Sequence, residues 1–225
     1  MSANSNTIPH SWNLTQQEAF KLQRQLSRQV IRTSAMKWQD ITTVAGIDTH
    51  YHKGIATAAV VTLRLIDLVA VDQATAVRRI GFPYIPGLLS FREGPVVLDA
   101  IEKLTFSPDV LVFDGHGIAH PRRFGLACHM GLLMDIPSIG CAKSWLSGRY
   151  KEPDQEKGSN SCLRDGNEII GAVVRTRKQV KPLFVSVGHR INLQDSIRIV
   201  LKCCRRYRLP EPIRLAHQLA RAPID

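Results

Sequence analysis

Long apolar runs are missing from this 225-residue chain: no stretch approaches the roughly 18 residues that a membrane-spanning helix needs. No secretory leader is expected either, because residues 1–12 are polar and lack an apolar core segment. The expectation is a cytoplasmic protein with residues 1–12 as a disordered tail. Internal repeats are absent, which excludes a solenoid. The five cysteines (Cys128, Cys141, Cys162, Cys203 and Cys204) show no metal-ligand spacing, and an odd count with one adjacent pair does not make a disulfide framework. Free thiols in a reducing compartment are the expectation. Acidic residues are scarce: 19 against 30 Lys plus Arg, a net +11. An excess of that size points to a polyanionic partner, because phosphate neutralisation releases counterions. A basic but otherwise ordinary enzyme is the competing account.

What is present reads as one mixed α/β domain over 13–225. Thr15 followed by Glu18 has the form of a capping box, and apolar residues at three- and four-residue spacing predict a helix over 15–33. Strands are predicted at 42–48, 56–63 and 68–77, with 49–54 as a turn, so these three form an antiparallel meander. A stiff loop at 83–87 leads to a helix at 91–104, which Pro108 terminates. The continuous apolar run 110–113 predicts a strand buried on both faces. A helix at 123–134, a strand at 138–142, an exposed polar loop at 151–166, strands at 168–175 and 183–187, and helices at 193–206 and 212–221 complete the chain. Three antiparallel strands followed by alternating helix and strand imply a sheet covered on both faces.

Candidate chemistry gathers at a few positions. Asp48 and Asp114 each close an apolar strand, where an ionised carboxylate is costly unless it meets a cation or a donor. Together they suit a hard divalent cation such as Mg²⁺ or Mn²⁺, with Glu93, in the first turn of a helix, as a third ligand. Singly, Asp48 reads equally well as a turn cap and Glu93 as a helix-dipole partner. The stretch Asp114-Gly115-His116-Gly117-Ile118-Ala119-His120-Pro121-Arg122-Arg123 combines flexible backbone with imidazoles and two phosphate-matching guanidinium groups. Pro83-Tyr84-Ile85-Pro86-Gly87 is rigid and apolar, suited to wedging into a base stack or simply to packing on a neighbour. Lys143, at a strand end, is a phosphate contact or a snorkelling surface lysine. His189 and His217 carry little signal alone.

Six segments, namely Ala45-Gly46-Ile47-Asp48, Pro83–Gly87 with Ser90-Phe91-Arg92-Glu93, Asp114–Arg123, Gly140-Cys141-Ala142-Lys143, Gly188-His189-Arg190 and Tyr207-Arg208-Leu209-Pro210-Glu211-Pro212, give the chain a resemblance to the endonuclease V family from about residue 12 onward. The resemblance implies a ribonuclease H-like fold, with the mixed sheet flanked by helices. It also implies a Mg²⁺-dependent phosphodiesterase, with Mn²⁺ able to substitute, acting on DNA that contains deoxyinosine. Such an enzyme cuts the second phosphodiester bond 3′ to the lesion. By motif match, Asp48, Asp114 and Glu93 would hold the metal, with His217 near it. Tyr84, with Pro83, Ile85 and Gly87, would form the strand-separating wedge. His120 and Lys143 would serve the scissile phosphate and Arg122 the DNA. Thr49-His50 and Cys141 depart from the usual family residues. Inosine-containing RNA as substrate, or a binding protein that has lost catalysis, are the rival readings. A monomer is expected.

Overall fold

The fold is built on one twisted eight-stranded sheet in the order β3-β2-β1-β4-β5-β8-β7-β6. It is described from a computed structural model over residues 10–222. Three ten-residue strands, β1 (Thr43–His52), β2 (Ile55–Arg64) and β3 (Ala70–Arg79), form the expected antiparallel meander. Parallel pairing begins where β4 (Val110–Phe113) joins β1 and β5 (Ser138–Ala142) joins β4. The remaining strands, β6 (Asn160–Asp165), β7 (Glu168–Val174) and β8 (Leu183–His189), pair antiparallel and attach through β8 to β5. Among the described residues, no helix is long and apolar enough to cross a membrane.

The helices divide between the two faces. On one side, α2 (Leu89–Ile101) and most of α3 (Leu126–Met134) bury Val96, Val97, Ala100, Met130 and Leu133 against Ala45, Ile47 and Phe113. On the other, α4 (Leu193–Cys203) and α5 (Glu211–Ala220) bury Ile199, Val200, Ile213 and Ala216 against Val44, Val112 and Ile139. Successive strand residues point to opposite faces, so Val44, Gly46 and Asp48 of β1 all face α5. Gly46 is required there: a Cβ on it would stand 2.1 Å from the Pro212 carbonyl carbon. The absence of a side chain lets α5 lie directly on β1.

Several expected boundaries move. β1 does not end at Asp48 but continues to His52. The residues expected as a turn, 49–54, are therefore mostly strand, and the turn is Lys53-Gly54. Beyond Ile47 the strand pairs only with β2, so its outer half needs no continuous apolar face. The first helix, α1 (Gln16–Leu26), has its capping box at Thr15 and Glu18 but gives way to a 3₁₀ turn at Ser27–Gln29. Six of the sixteen residues of the predicted loop 151–166 form the edge strand β6, whose one buried residue is Leu163. Of the expected tail 1–12, His10 and Trp12 pack on Phe91 and His129, and residues 1–9 lie outside the described residues. All five cysteines are free, and Cys162 alone among them is exposed.

His129 lies at the centre of that aromatic packing. Its Nδ1 meets Ser90 Oγ at 2.9 Å and its Nε2 meets His10 Nε2 at 2.7 Å. Complete burial, and then the neighbouring His10, hold its pKa well below the ordinary 6.5. Burial likewise depresses His116 and His120 to about 4. Below pH 6.5 the unfolded chain therefore takes up protons that the folded chain refuses, so stability present above 6.5 is lost as pH falls toward 4. Urea denaturation should show a lower midpoint at pH 5 than at pH 7, with a smaller drop in His129→Gln; an equal drop in both would remove His129 from this linkage. Gly46→Ala should cost ~1–3 kcal/mol through the clash with α5, read as a lower thermal midpoint. An unchanged midpoint would mean that α5 does not rest on Gly46.

Candidate active site

Three neighbouring strands bring the site together. The last β1–β4 pair is Ile47 with Phe113, so Asp48 and Asp114 stand side by side just past the end of β4. Both continue the files of alternate residues that face α5. From the end of β5, Lys143 reaches the same point and its Nζ pairs with Asp114 Oδ2. From α5, His217 Nδ1 meets Asp48 Oδ2 at 2.6 Å. The two aspartates are mostly buried, with side-chain exposures of 12% and 14%.

Glu93 enters from the opposite face. It is the fifth residue of α2, not a first-turn residue, so the helix dipole does not account for it. It lies one turn before Val96 and Val97 and shares their buried stripe. Burial, opposed by a hydrogen bond from Tyr51 and reinforced by the charges of Asp48 and Asp114, pushes its pKa up to about 8. Tyr51 Oη donates to Glu93 Oε1 at 2.9 Å, and the Arg92 guanidinium lies 4.7 Å from the Tyr51 ring centre. Asp114 is also raised, by burial first and Asp48 among the charges, against the opposing pull of Lys143. The site is thus a set of oxygen donors whose charges oppose one another. Among the described residues no ready-made cage of three or more His, Cys, Asp or Glu side chains is formed. Instead the three acids face Lys143, His217 and Tyr51. Such a donor set suits a hard divalent cation, which would relieve the same repulsion.

The second cluster surrounds the loop Pro83–Gly87. Tyr84 and Pro83 are exposed, Tyr84 at 70%. Ile85 instead packs down on Phe82, Leu88 and Phe91. Gly87 has φ +79°, a conformation suited to glycine, and a Cβ there would meet Arg122 Nη2 at 2.6 Å. Its carbonyl accepts from Gln23 Nε2 at 3.0 Å, His120 Nε2 at 3.0 Å and Arg122 Nη2 at 2.8 Å. His120 accepts from Arg122 N–H at Nδ1, which leaves Nε2 as the proton-bearing nitrogen. His120 and Arg122 are therefore posts for this loop and are held at Gly87, not at the carboxylates. Arg122 is further tied to Gln23 Oε1 at 2.5 Å and stacked 4.2 Å from the Phe20 ring centre.

Between the acids and this loop lies a cavity of about 230 Å³, lined by Tyr84, Ser90, Gly115, His116, Leu126 and Trp145 among others. Gly115 directly follows Asp114 and Ser144 directly follows Lys143, so the cavity adjoins the charged cluster. His116 keeps Nδ1 buried without a partner. Several participants escape sequence reasoning. Tyr51 lies in residues taken for a turn, Gln23 is a helix residue like many others, and Trp145 follows no motif. Arg208, which donates from Nη2 to the Lys143 carbonyl at 2.9 Å, carries a signal only as part of Tyr207–Pro212. His189, by contrast, is tied to Ile31 and Asp135, away from the acids.

Comparison with known proteins agrees with this arrangement. The family described as Endonuclease V matches residues 24–218. The chain is 49% identical over 201 residues to endonuclease V of Dictyoglomus thermophilum, covering 89% of this chain and 87% of that one. The crystal structure of endonuclease V from Streptomyces avermitilis superposes with a TM-score of 0.89 at 42% identity, covering 95% of each chain. Endonuclease V of Ciona intestinalis, solved with a 24mer DNA containing an inosine followed by a ribo-adenosine, gives a TM-score of 0.79 at 27% identity, over 91% of this chain and 95% of that one. With a mixed sheet of the ribonuclease H kind, acids converging at the end of β4 and a family match across most of its length, this chain is a nuclease that belongs to the endonuclease V family.

Proposed function

We propose that this chain hydrolyses inosine-containing DNA at the second phosphodiester bond 3′ to the deoxyinosine, with Mg²⁺ as cofactor and Mn²⁺ able to replace it. The observation that carries this reading is the convergence of Asp48, Glu93 and Asp114 beside a cavity overhung by an exposed aromatic loop. The inosine-bearing DNA in the Ciona complex supports the same substrate for this chain.

In this reading Asp48, Glu93 and Asp114 hold the metal, with His217 beside them. Bound there, the cation would polarise the scissile phosphate and lower the pKa of an attacking water. Lys143 supplies positive charge to the phosphate as negative charge builds on its oxygens. Tyr51 fixes the orientation of Glu93, His217 that of Asp48, and Arg208 the backbone of Lys143. Tyr84 occupies the gap left when inosine, weakly paired and cheap to extrude, leaves the stack for the cavity. Gln23, His120 and Arg122 keep Tyr84 in place by gripping the carbonyl of Gly87, so His120 serves the wedge and acts on the phosphate only through it. The ribo-adenosine of the Ciona complex favours a second reading in which inosine-containing RNA is also cut.

Nicking of a duplex with a single deoxyinosine, assayed with Mg²⁺ and with EDTA, tests the proposal. A single Mg²⁺-dependent nick at the second bond is expected. Nicking in EDTA, or none in Mg²⁺ on either inosine-bearing DNA or RNA, would overturn it. Asp48→Ala and Asp114→Ala should each slow cleavage by more than the ~10–100-fold that loss of a ligand's supporting partner costs. Both should still bind the strand in EDTA, and full cleavage by either would remove that acid from the site. Tyr84→Ala should weaken preference for the lesion by about 1–3 kcal/mol, the scale of one base–aromatic stack. Unchanged preference for inosine over undamaged DNA would show that Tyr84 is not the wedge.

A further inference from the structure

The segment that leaves β5 continues past the site into a second concavity. Lys143 pairs with Asp114 and Ser144–Leu146 line the cavity beside it. A few residues on, Arg149, Tyr150 and Lys151 line a groove of about 740 Å³ whose other wall is the edge strand β6. Arg149 and Arg164 are bridge partners across this wall: Arg149 N donates to Arg164 O at 2.6 Å and Arg164 N to Arg149 O at 2.9 Å. Residues opposed in this way carry their side chains on the same side of the strands. Two like charges directly opposite are mutually destabilising, and here neither has an ion-pair partner among the described residues. Lys151, two residues beyond Arg149, adds a third exposed positive charge to the groove. The acid in the lining, Asp165, is occupied by Arg123 Nη2 at 2.8 Å. A fold that brings Arg149 and Arg164 together without a counterion leaves the pair to be relieved by an anion from outside.

The aromatic residues along the way indicate which anion. Trp145 is 56% exposed at the cavity mouth, held by a hydrogen bond from Nε1 to the Gly148 carbonyl, and Tyr150 is 39% exposed in the groove. A basic groove interleaved with exposed aromatic faces is the pattern that tracks a single nucleic-acid strand, with phosphates on the cations and bases on the rings. We propose that the strand carrying the lesion continues from the cavity, over Trp145, into the Arg149–Arg164 groove, which holds the phosphates of the flanking nucleotides on one side of the inosine. This inference rests on the proposed function for its substrate but concerns residues outside the catalytic cluster.

The test compares Arg149→Gln/Arg164→Gln with Lys37→Gln/Lys202→Gln, which removes the same charge from two exposed lysines near the start of β1. Binding in EDTA to fluorescein-labelled single strands with one deoxyinosine is measured by anisotropy from 50 to 300 mM KCl. Two strands carry their flanking nucleotides on opposite sides of the inosine. For one of them the groove variant should bind ~10-fold more weakly and lose ~1.4 from the slope of log K against log [KCl], about 0.7 for each phosphate contact removed. The other strand, and the lysine control on both strands, should keep the native slope. Equal losses in the two variants, equal losses on both strands, or no loss at all would overturn the groove assignment. Native protein that cuts inosine-bearing DNA while the groove variant retains the full slope defeats the groove alone. Native protein that neither binds nor cuts such strands defeats the proposed function and the groove with it.

Discussion

Withdrawal of three neighbouring carboxylates from water is the constraint around which the molecule is arranged. Asp48, Glu93 and Asp114 are withdrawn from water and brought within each other's field, which raises Glu93 to a pKa of about 8. Buried acids are tolerated only with donors or cations to meet them. Lys143, His217 and Tyr51 meet them here, and each comes from a different part of the chain: the end of β5, α5 and the outer half of β1. A sheet that served stability alone would place apolar residues at these positions, as it does at Ile47 and Phe113 one residue earlier. In the proposed reading the cluster serves function at a cost in stability that the surrounding core offsets.

The topology supplies the opening for it. β4 is four residues long and β1 is ten, so the centre of the sheet ends while the β1–β2 hairpin continues. At that step the two faces of the sheet are no longer separated. Glu93 from the α2 side can then approach Asp48 and Asp114 from the α5 side. The side-chain-free Gly46 allows α5 to lie close enough for His217 to reach Asp48. On the other side of the opening, the Gly87 carbonyl gathers Gln23, His120 and Arg122 and fixes the loop that presents Tyr84. The cavity thus lies between the acid cluster and the aromatic loop, and the proposed path of the strand runs from it toward the basic groove.

Much of this was legible in the residues because the pattern and the physics agree. The run Val110–Phe113 has to be a buried strand, and an acid directly after it has to be explained. Where the expectation failed, a local rule gave way to the tertiary setting. Asp48 looked like a strand end because apolar residues stop at Ile47, but β1 continues as a two-stranded hairpin that needs no second apolar face. Glu93, expected in the first turn of a helix as a third ligand or a dipole partner, stands one turn deeper, and its position on the stripe of Val96 and Val97 buries it. Residues Asn160–Asp165 looked like loop because an edge strand with one inward residue, Leu163, barely alternates. His120, which the resemblance assigns to the scissile phosphate, is held by its turn at the Gly87 carbonyl. Tyr51 and Gln23 could not be found in advance, since their importance lies in a hydrogen-bond partner 42 or more residues away.

The central claim is that the three acids are held together against their own repulsion for the sake of a cation. It is tested most directly by the thermal midpoints of the native protein and Glu93→Gln, each in EDTA and in Mg²⁺ at pH 9, above the Glu93 pKa of about 8. Removing one charge while keeping the bond from Tyr51 should raise the midpoint in EDTA by at least ~3 °C, on the scale of ~2–4 °C per kcal/mol for a chain of this size. Mg²⁺ should then raise the native protein toward the variant and leave the variant nearly unmoved. A variant less stable than the native protein in EDTA, with Mg²⁺ shifting neither, would contradict it.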